Sequence, residues 1–545
     1  RRRGETPDGA EQTGDVHLFR AVDDEHDAAM ILGYVDWAGA ERHVELAYST
    51  RVAAAGRQRR HPIPRHQSNG DEERYPGRIA SFSKSLPHDE LGQVDLQAYE
   101  EMKRAVLFAD LTALKSLKLG GVGRLANPQA AHAFSLEGLD SRQTRLPPPP
   151  AFASEAIAAE AAELYWRALL RDVPFNDYDS SSVIGDASKD LSRFRELDAP
   201  RERESITPAT IFRGTAPGEL QGPHVSQFLW KEISFGPMQM FQKLRTYFAA
   251  IDYLTTYDEW LAIQNGAAAR KAQLGTHRYI RNGRDLAAYV QTDFSYQAFV
   301  NAALILFAMQ GTTDARKSYR GAPYDAGNPY RDIATESTFV TFGQAHVLDL
   351  VARVTSSALK AAWYHKWIVH RRLRPEEFGG RVHNHQKGLA EYPIHQALLK
   401  SEALDRTNEK HGSWLLPLAY PEGAPSHPAY PAGHAAIAGA CVTVLKAFFD
   451  EDYPVDDPVV AASDGLSLMP YRGLALMIGG ELNKLASNIA FGRDMAGLHW
   501  RSDGIAGLRL GEEVALSVLA DHRLTYPERF EGWTLRRFDG EKVVV

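Results

Sequence analysis

Three short segments carry the residues best suited to chemistry. The first is Lys366-Trp367-Ile368-Val369-His370-Arg371-Arg372-Leu373-Arg374-Pro375, with Lys366 and Arg374 eight residues apart. The second, Ser426-His427-Pro428-Ala429-Tyr430-Pro431-Ala432-Gly433-His434, leads into an Ala-rich apolar stretch. The third runs from Arg493 to Asp503, with His499 and Asp503 four apart. Together they supply Arg374, Arg493, Lys366, His434, His499 and the free N–H groups of a helix start. That set suits a tetrahedral oxyanion bearing several negative oxygens.

Taken singly, each segment has an ordinary structural reading. Arg374 reads as a basic helix end before Pro375, which disfavours helical geometry at its predecessor. Gly433 reads as a helix start with His434 in the first turn, so His434 is either neutral or faces negative charge. If the third segment is helical, His499 and Asp503 share a face. Asp503 then fixes one imidazole nitrogen and leaves the other as acceptor or ligand. The same stretch also reads as a solvated polar face.

The elements that must position these residues are predicted to be helices. Helical patterning covers Ala151 to Leu170 (Ser154 as N-cap), Phe228 to Asn265, Arg284 to Met309 and Ala345 to Leu373. It resumes at Ala435 to Phe449, Tyr471 to Gly492 and Leu508 to Ala520. Strand-like alternation is scarce, and Trp533 to Val545 reads as a short hairpin or tail. The expected fold class is mainly α, built from helical bundles. The expected organisation is an extended, partly disordered arm over 1–78, an N-terminal helical part over 79–330, and a C-terminal bundle over 331–545 that carries the site. Within the arm, 1–15 reads as disordered and 51–78 as loop. Pro147 to Pro150 reads as a stiff spacer.

Composition narrows the function classes. In 545 residues the single cysteine excludes an intrachain disulfide framework and a Cys-cluster metal site. A formal charge of −7 provides no global basic field for nucleic acid. No apolar run is long enough to span a membrane. Arg1-Arg2-Arg3-Gly4 has no apolar stretch behind it and does not read as an intact secretory signal. The cysteine usage fits a cytoplasmic protein, with a trimmed or exported form as the alternative. His383 and His385 read as a polar loop, Lys317 as loop surface, Trp363 and Trp367 as packing, and Cys441 as a small buried apolar residue.

The three segments together resemble the signature of the vanadium-dependent haloperoxidases, a pattern shared with the PAP2 acid phosphatases. The Lys366–Arg374 spacing is similar to the algal and bacterial bromoperoxidase branch, as are Leu164–Phe175, Trp260–Gly266 and Arg278–Tyr289. The resemblance implies a largely helical fold with four-helix-bundle elements. It implies vanadate as cofactor, its oxygens bound by Lys366, Arg374, Arg493 and the Gly433 N–H. His499 would be the nitrogen bonded to vanadium, with Asp503 behind it. His434 would be the acid/base, and His427 would lie near the cofactor. Hydrogen peroxide, a halide and a small electron-rich organic substrate would be the partners, in a homodimer or larger assembly, within bacterial secondary metabolism.

One position departs from the family pattern, which has Ser where Ala432 stands. The lost hydrogen bond to a charged group costs about 1.5–3 kcal/mol, roughly ten- to a hundredfold in affinity. Phosphate could then occupy the site instead. A vanadate-independent homologue that rearranges an α-hydroxyketone of a prenylated naphthoquinone is the alternative, with His434, Lys366 and the arginines stabilising an enolate-like oxygen. A phosphatase with His499 as nucleophile is the third reading.

Overall fold

The computed structural model describes residues 37–309 and 321–545. The helices that frame the site are, in chain order, α1 (Trp37–Arg60), α2 (Glu155–Leu170), α3 (Gly283–Thr292), α4 (Gln297–Ala308) and α5 (Gln344–Tyr364). They continue with α6 (Pro375–Gln386), α7 (Gly433–Phe448), α8 (Ile478–Met495) and α9 (Arg501–His522). Among the described residues, four two-stranded antiparallel sheets decorate them: β1–β2 (Ile233–Phe235, Met238–Met240), β3–β4 (Leu244–Tyr247, Leu274–Arg278), β5–β6 (Val459–Ala461, Leu468–Pro470) and β7–β8 (Thr534–Arg536, Lys542–Val544).

The bundle is centred on α7. Its sequence, GHAAIAGACVTVLKAF, has no polar stripe, and nearly every residue is buried. A helix that is apolar all round belongs in the middle. It packs against α5, α8 and α9. Small residues let α7 and α9 approach at backbone distance. A Cβ on Gly511 would collide with the Ala436 carbonyl, and one on Gly439 with the Leu508 carbonyl. This close crossing sets the start of α7 beside the start of α9. One apolar core runs from Ile79 to Leu535, across position 330.

Several elements differ from their sequence expectations, each for a local reason. Phe228 to Asn265 is not one helix. Gly236 at φ 59° turns β1 into β2, and only Tyr257–Gln264 is helical in the rest. Arg284 to Met309 breaks at Asp293, whose backbone is extended, giving α3 and α4. Tyr471 to Gly492 becomes helical only from Ile478. Within 51–78, α1 continues to Arg60, since its Ala, Arg and Gln residues favour helix before Pro62. Ser154 does cap α2, accepting from Ile157 N at 3.2 Å, and Thr534 to Val544 does form a hairpin. The disorder expected over 1–15 lies outside the described residues.

Candidate anion-binding active site

Arg374 starts a helix rather than ending one. After α5 the chain makes a π-helical turn, His365–His370, and then leaves helix through Arg371 at φ 39°. Pro375 acts as the first residue of α6, where its missing N–H costs nothing, and Arg374 becomes the N-cap. The Arg374 backbone N–H donates to Glu377 Oε2 at 2.7 Å. Its fully buried guanidinium donates to the carbonyls of His427 and Leu498 and to His427 Nδ1 and His499 Nε2, all at 2.9 Å. Lys366, also fully buried, donates to the carbonyls of Pro428 and Ala429 at 2.7 Å.

The second segment delivers the start of α7. Ala432 is the N-cap and offers no side-chain acceptor. Its own N–H is spent on Asp503 O at 2.9 Å. The first-turn N–H groups from Gly433 onward have no acceptor within the helix, so that end is open to an anion. Gly433 backs onto Trp363, and Trp363 packs on His427 with ring centroids 4.8 Å apart. His434 Nε2 donates to Asp293 Oδ1 at 3.2 Å. The Ser426 hydroxyl pairs with Ser85 at 2.8 Å.

The third segment brings His499 and Asp503 together, but not on one helix. His499 precedes α9, and Asp503 sits in its first turn. His499 Nδ1–H donates to Asp503 Oδ2 at 2.9 Å, which leaves Nε2 as a lone pair. That lone pair faces Arg374. Arg493, in the last turn of α8, donates through Nη1 to Val290 O at 2.7 Å and lies over the Tyr420 ring. Its buried Nε has no partner.

The electrostatics of this cup call for an anion. Burial, then the neighbouring Arg374, holds the Lys366 amine well below its ordinary value. Burial, with Arg493 adding to it, lowers Arg374 to about 9. Burial and the same cations keep His427 and His499 neutral. His434 is lowered by burial and Arg493, against which Asp293 works. Three cations thus crowd around a lone-pair nitrogen, an orphaned guanidinium N–H and an uncapped helix start. These donors fit a tetrahedral oxoanion whose central metal accepts an imidazole nitrogen.

Sequence reasoning missed three partners of the site. Asp293 was hidden inside a stretch read as continuous helix. Arg372 and Glu160, which stand behind Asp503, carry no spacing signal that separates them from other charged residues. Elsewhere, His383 and His385 lie on α6 rather than in a loop. Each accepts a backbone N–H, from Trp414 at 3.2 Å and Tyr392 at 3.3 Å. Trp367 is core, Trp363 is half-buried against the site, and buried Cys441 meets Thr355 at 3.2 Å. Lys317 lies outside the described residues.

Comparison with known proteins identifies the family. The family described as the VCPO second helical-bundle domain matches residues 347–525, which hold all three segments. Over 524 residues the chain is 37% identical to a vanadium-dependent bromoperoxidase of Ascophyllum nodosum, covering 91% of each protein. The chain belongs to the vanadium-dependent haloperoxidase family. It is accordingly an enzyme of the haloperoxidase class, acting on peroxide. A vanadium-dependent bromoperoxidase of Corallina pilulifera is a further relative, 33% identical over 93% of this chain and 99% of its own length. Among solved structures, the second vanadate-dependent bromoperoxidase of A. nodosum, a homohexamer, superposes with a TM-score of 0.86. That match has 29% identity over 99% of this chain and 94% of the other. The mainly helical haloperoxidase fold is thereby shown for the whole described chain.

Proposed function

We propose that this haloperoxidase binds vanadate in the cup and oxidises a halide with hydrogen peroxide, delivering the oxidant to a small electron-rich organic substrate of bacterial secondary metabolism. The observation that carries this reading is His499: Nδ1 is committed to Asp503, and its Nε2 lone pair sits among Lys366, Arg374 and Arg493. When bound, vanadate supplies a Lewis acid that makes peroxide electrophilic without changing oxidation state.

The chain's own residues do the rest. Lys366, Arg374 and Arg493 neutralise the oxygens and strengthen that polarisation. The Gly433 N–H adds a donor from the start of α7. His434, backed by Asp293, takes a proton from incoming peroxide and returns it to the leaving oxygen. Its side chain is 28% exposed, against 2% for His499, so reactants arrive past His434. Trp363 and His427 close the other wall. Assembly into a homo-oligomer, as in the hexameric relative, belongs to this reading.

Ala432 favours a second reading. The N-cap offers no hydroxyl, and the Ser426 hydroxyl is taken by Ser85. Without vanadate, the same cations would polarise a ketone while His434 moves the proton of an α-hydroxyketone rearrangement. Dialysis against orthovanadate, followed by assay with peroxide, bromide and an activated 1,3-diketone, separates the two. Vanadate-dependent bromination supports the haloperoxidase reading. No bromination by the wild type, with activity restored in A432S, assigns this chain to the second.

A further inference from the structure

Arg372 touches all three segments of the site. It lies in the first, two residues before Arg374. Its carbonyl accepts from Ala429 N of the second at 3.0 Å. Its Nη1 donates to Ser502 Oγ at 2.8 Å and Asp503 Oδ1 at 2.7 Å in the third. The guanidinium is held in place by the rings of Trp500 and Tyr430, 5.1 and 5.9 Å from their centroids. From α2, in the N-terminal half, Glu160 Oε2 lies 3.5 Å from Arg372 Nη2 and accepts from Ser502 Oγ at 2.9 Å.

Asp503 is fully buried, and both its oxygens are committed. Oδ1 takes Arg372, while Oδ2 takes His499 Nδ1–H and the Trp500 N–H at 3.0 Å. With Oδ1 held by Arg372, Oδ2 is turned toward the His499 Nδ1–H and the Trp500 N–H, which fixes the His499 tautomer and leaves Nε2 as the acceptor. We propose that Arg372 is a positioning residue: it holds Asp503 turned toward His499, and Glu160 braces it from α2.

The proposal rests on the vanadate reading for its consequence but not for its geometry, so the test has two arms. In the first, orthovanadate affinity is measured by equilibrium dialysis at one fixed pH for wild type, R372M and R372K. R372M is expected to bind at least about tenfold more weakly. R372K, which keeps a donor for Asp503 Oδ1, recovers most of the affinity. If R372M does not fold, R372Q takes its place in both arms. Wild-type affinity in R372M, or no recovery in R372K, overturns the proposal. In the second arm, the unloaded R372M crystal structure is expected to show Asp503 rotated off His499 Nδ1 in an otherwise unchanged bundle. Persistence of that bond overturns the proposal. Failure of the wild type to take up orthovanadate counts against the vanadate reading alone, and the second arm still decides the role of Arg372.

Discussion

His434 and Asp293 join the start of the central helix to the break between α3 and α4, through a 3.2 Å hydrogen bond from Nε2 to Oδ1. Asp293 is the group that opposes burial and Arg493 in setting the His434 proton affinity. In D293N that opposition is gone, and the His434 pKa falls further below its ordinary value. The acid limb of the bromide-oxidation profile is then expected to move to lower pH, with the fold unchanged by circular dichroism. An unmoved limb would remove His434 from the proton-transfer step.

Ala432→Ser restores a hydroxyl at the N-cap of α7. An N-cap Ser in place of Ala stabilises a helix start by about 1 kcal/mol. The hydroxyl also adds one donor to the oxyanion, tightening orthovanadate about ten- to a hundredfold. Thermal denaturation of the unloaded variant and equilibrium dialysis read the two effects separately.

Filling the cup stabilises the protein. At orthovanadate a hundredfold above its dissociation constant, linkage gives about 2.7 kcal/mol, visible as a raised melting temperature. H499A is expected to lose this rise, measured against the variant's own unloaded melting temperature.

Burial pushes the Glu160 carboxyl up to about 7. Its folded pKa is above its unfolded value of 4.5, so the folded state binds more protons between pH 4.5 and 7. Stability from this group is therefore present below about pH 4.5 and falls as pH rises through 7. E160Q, which cannot ionise, is expected to become progressively more stable than wild type from pH 5 to 8, by at most about 3 kcal/mol. Urea denaturation across that range measures the slope; parallel curves would show that Glu160 is already ionised at pH 5.

The three segments were legible because oxyanion binding demands residue types that are expensive to bury without a purpose. The helices α7 and α9 were legible from continuous small and apolar residues. What the chain order hid was long-range geometry. Pro375 looked like a stop after Arg374 and is a start. His499 and Asp503 looked like two positions on one helix face, yet His499 stands before the helix and reaches its first turn. Asp293 meets His434 across 141 residues, and Glu160 meets Ser502 across 342. No local periodicity encodes such pairs.

The central claim is that an anion bonded to His499 makes the cup catalytic. Protein freed of vanadium is titrated with orthovanadate, and bound vanadium and peroxide-dependent bromide oxidation are measured on the same samples. The account predicts one vanadium per chain, with activity rising in proportion and both lost in H499A. Vanadium bound without activity, or bromide oxidation that persists unchanged in H499A, would contradict it.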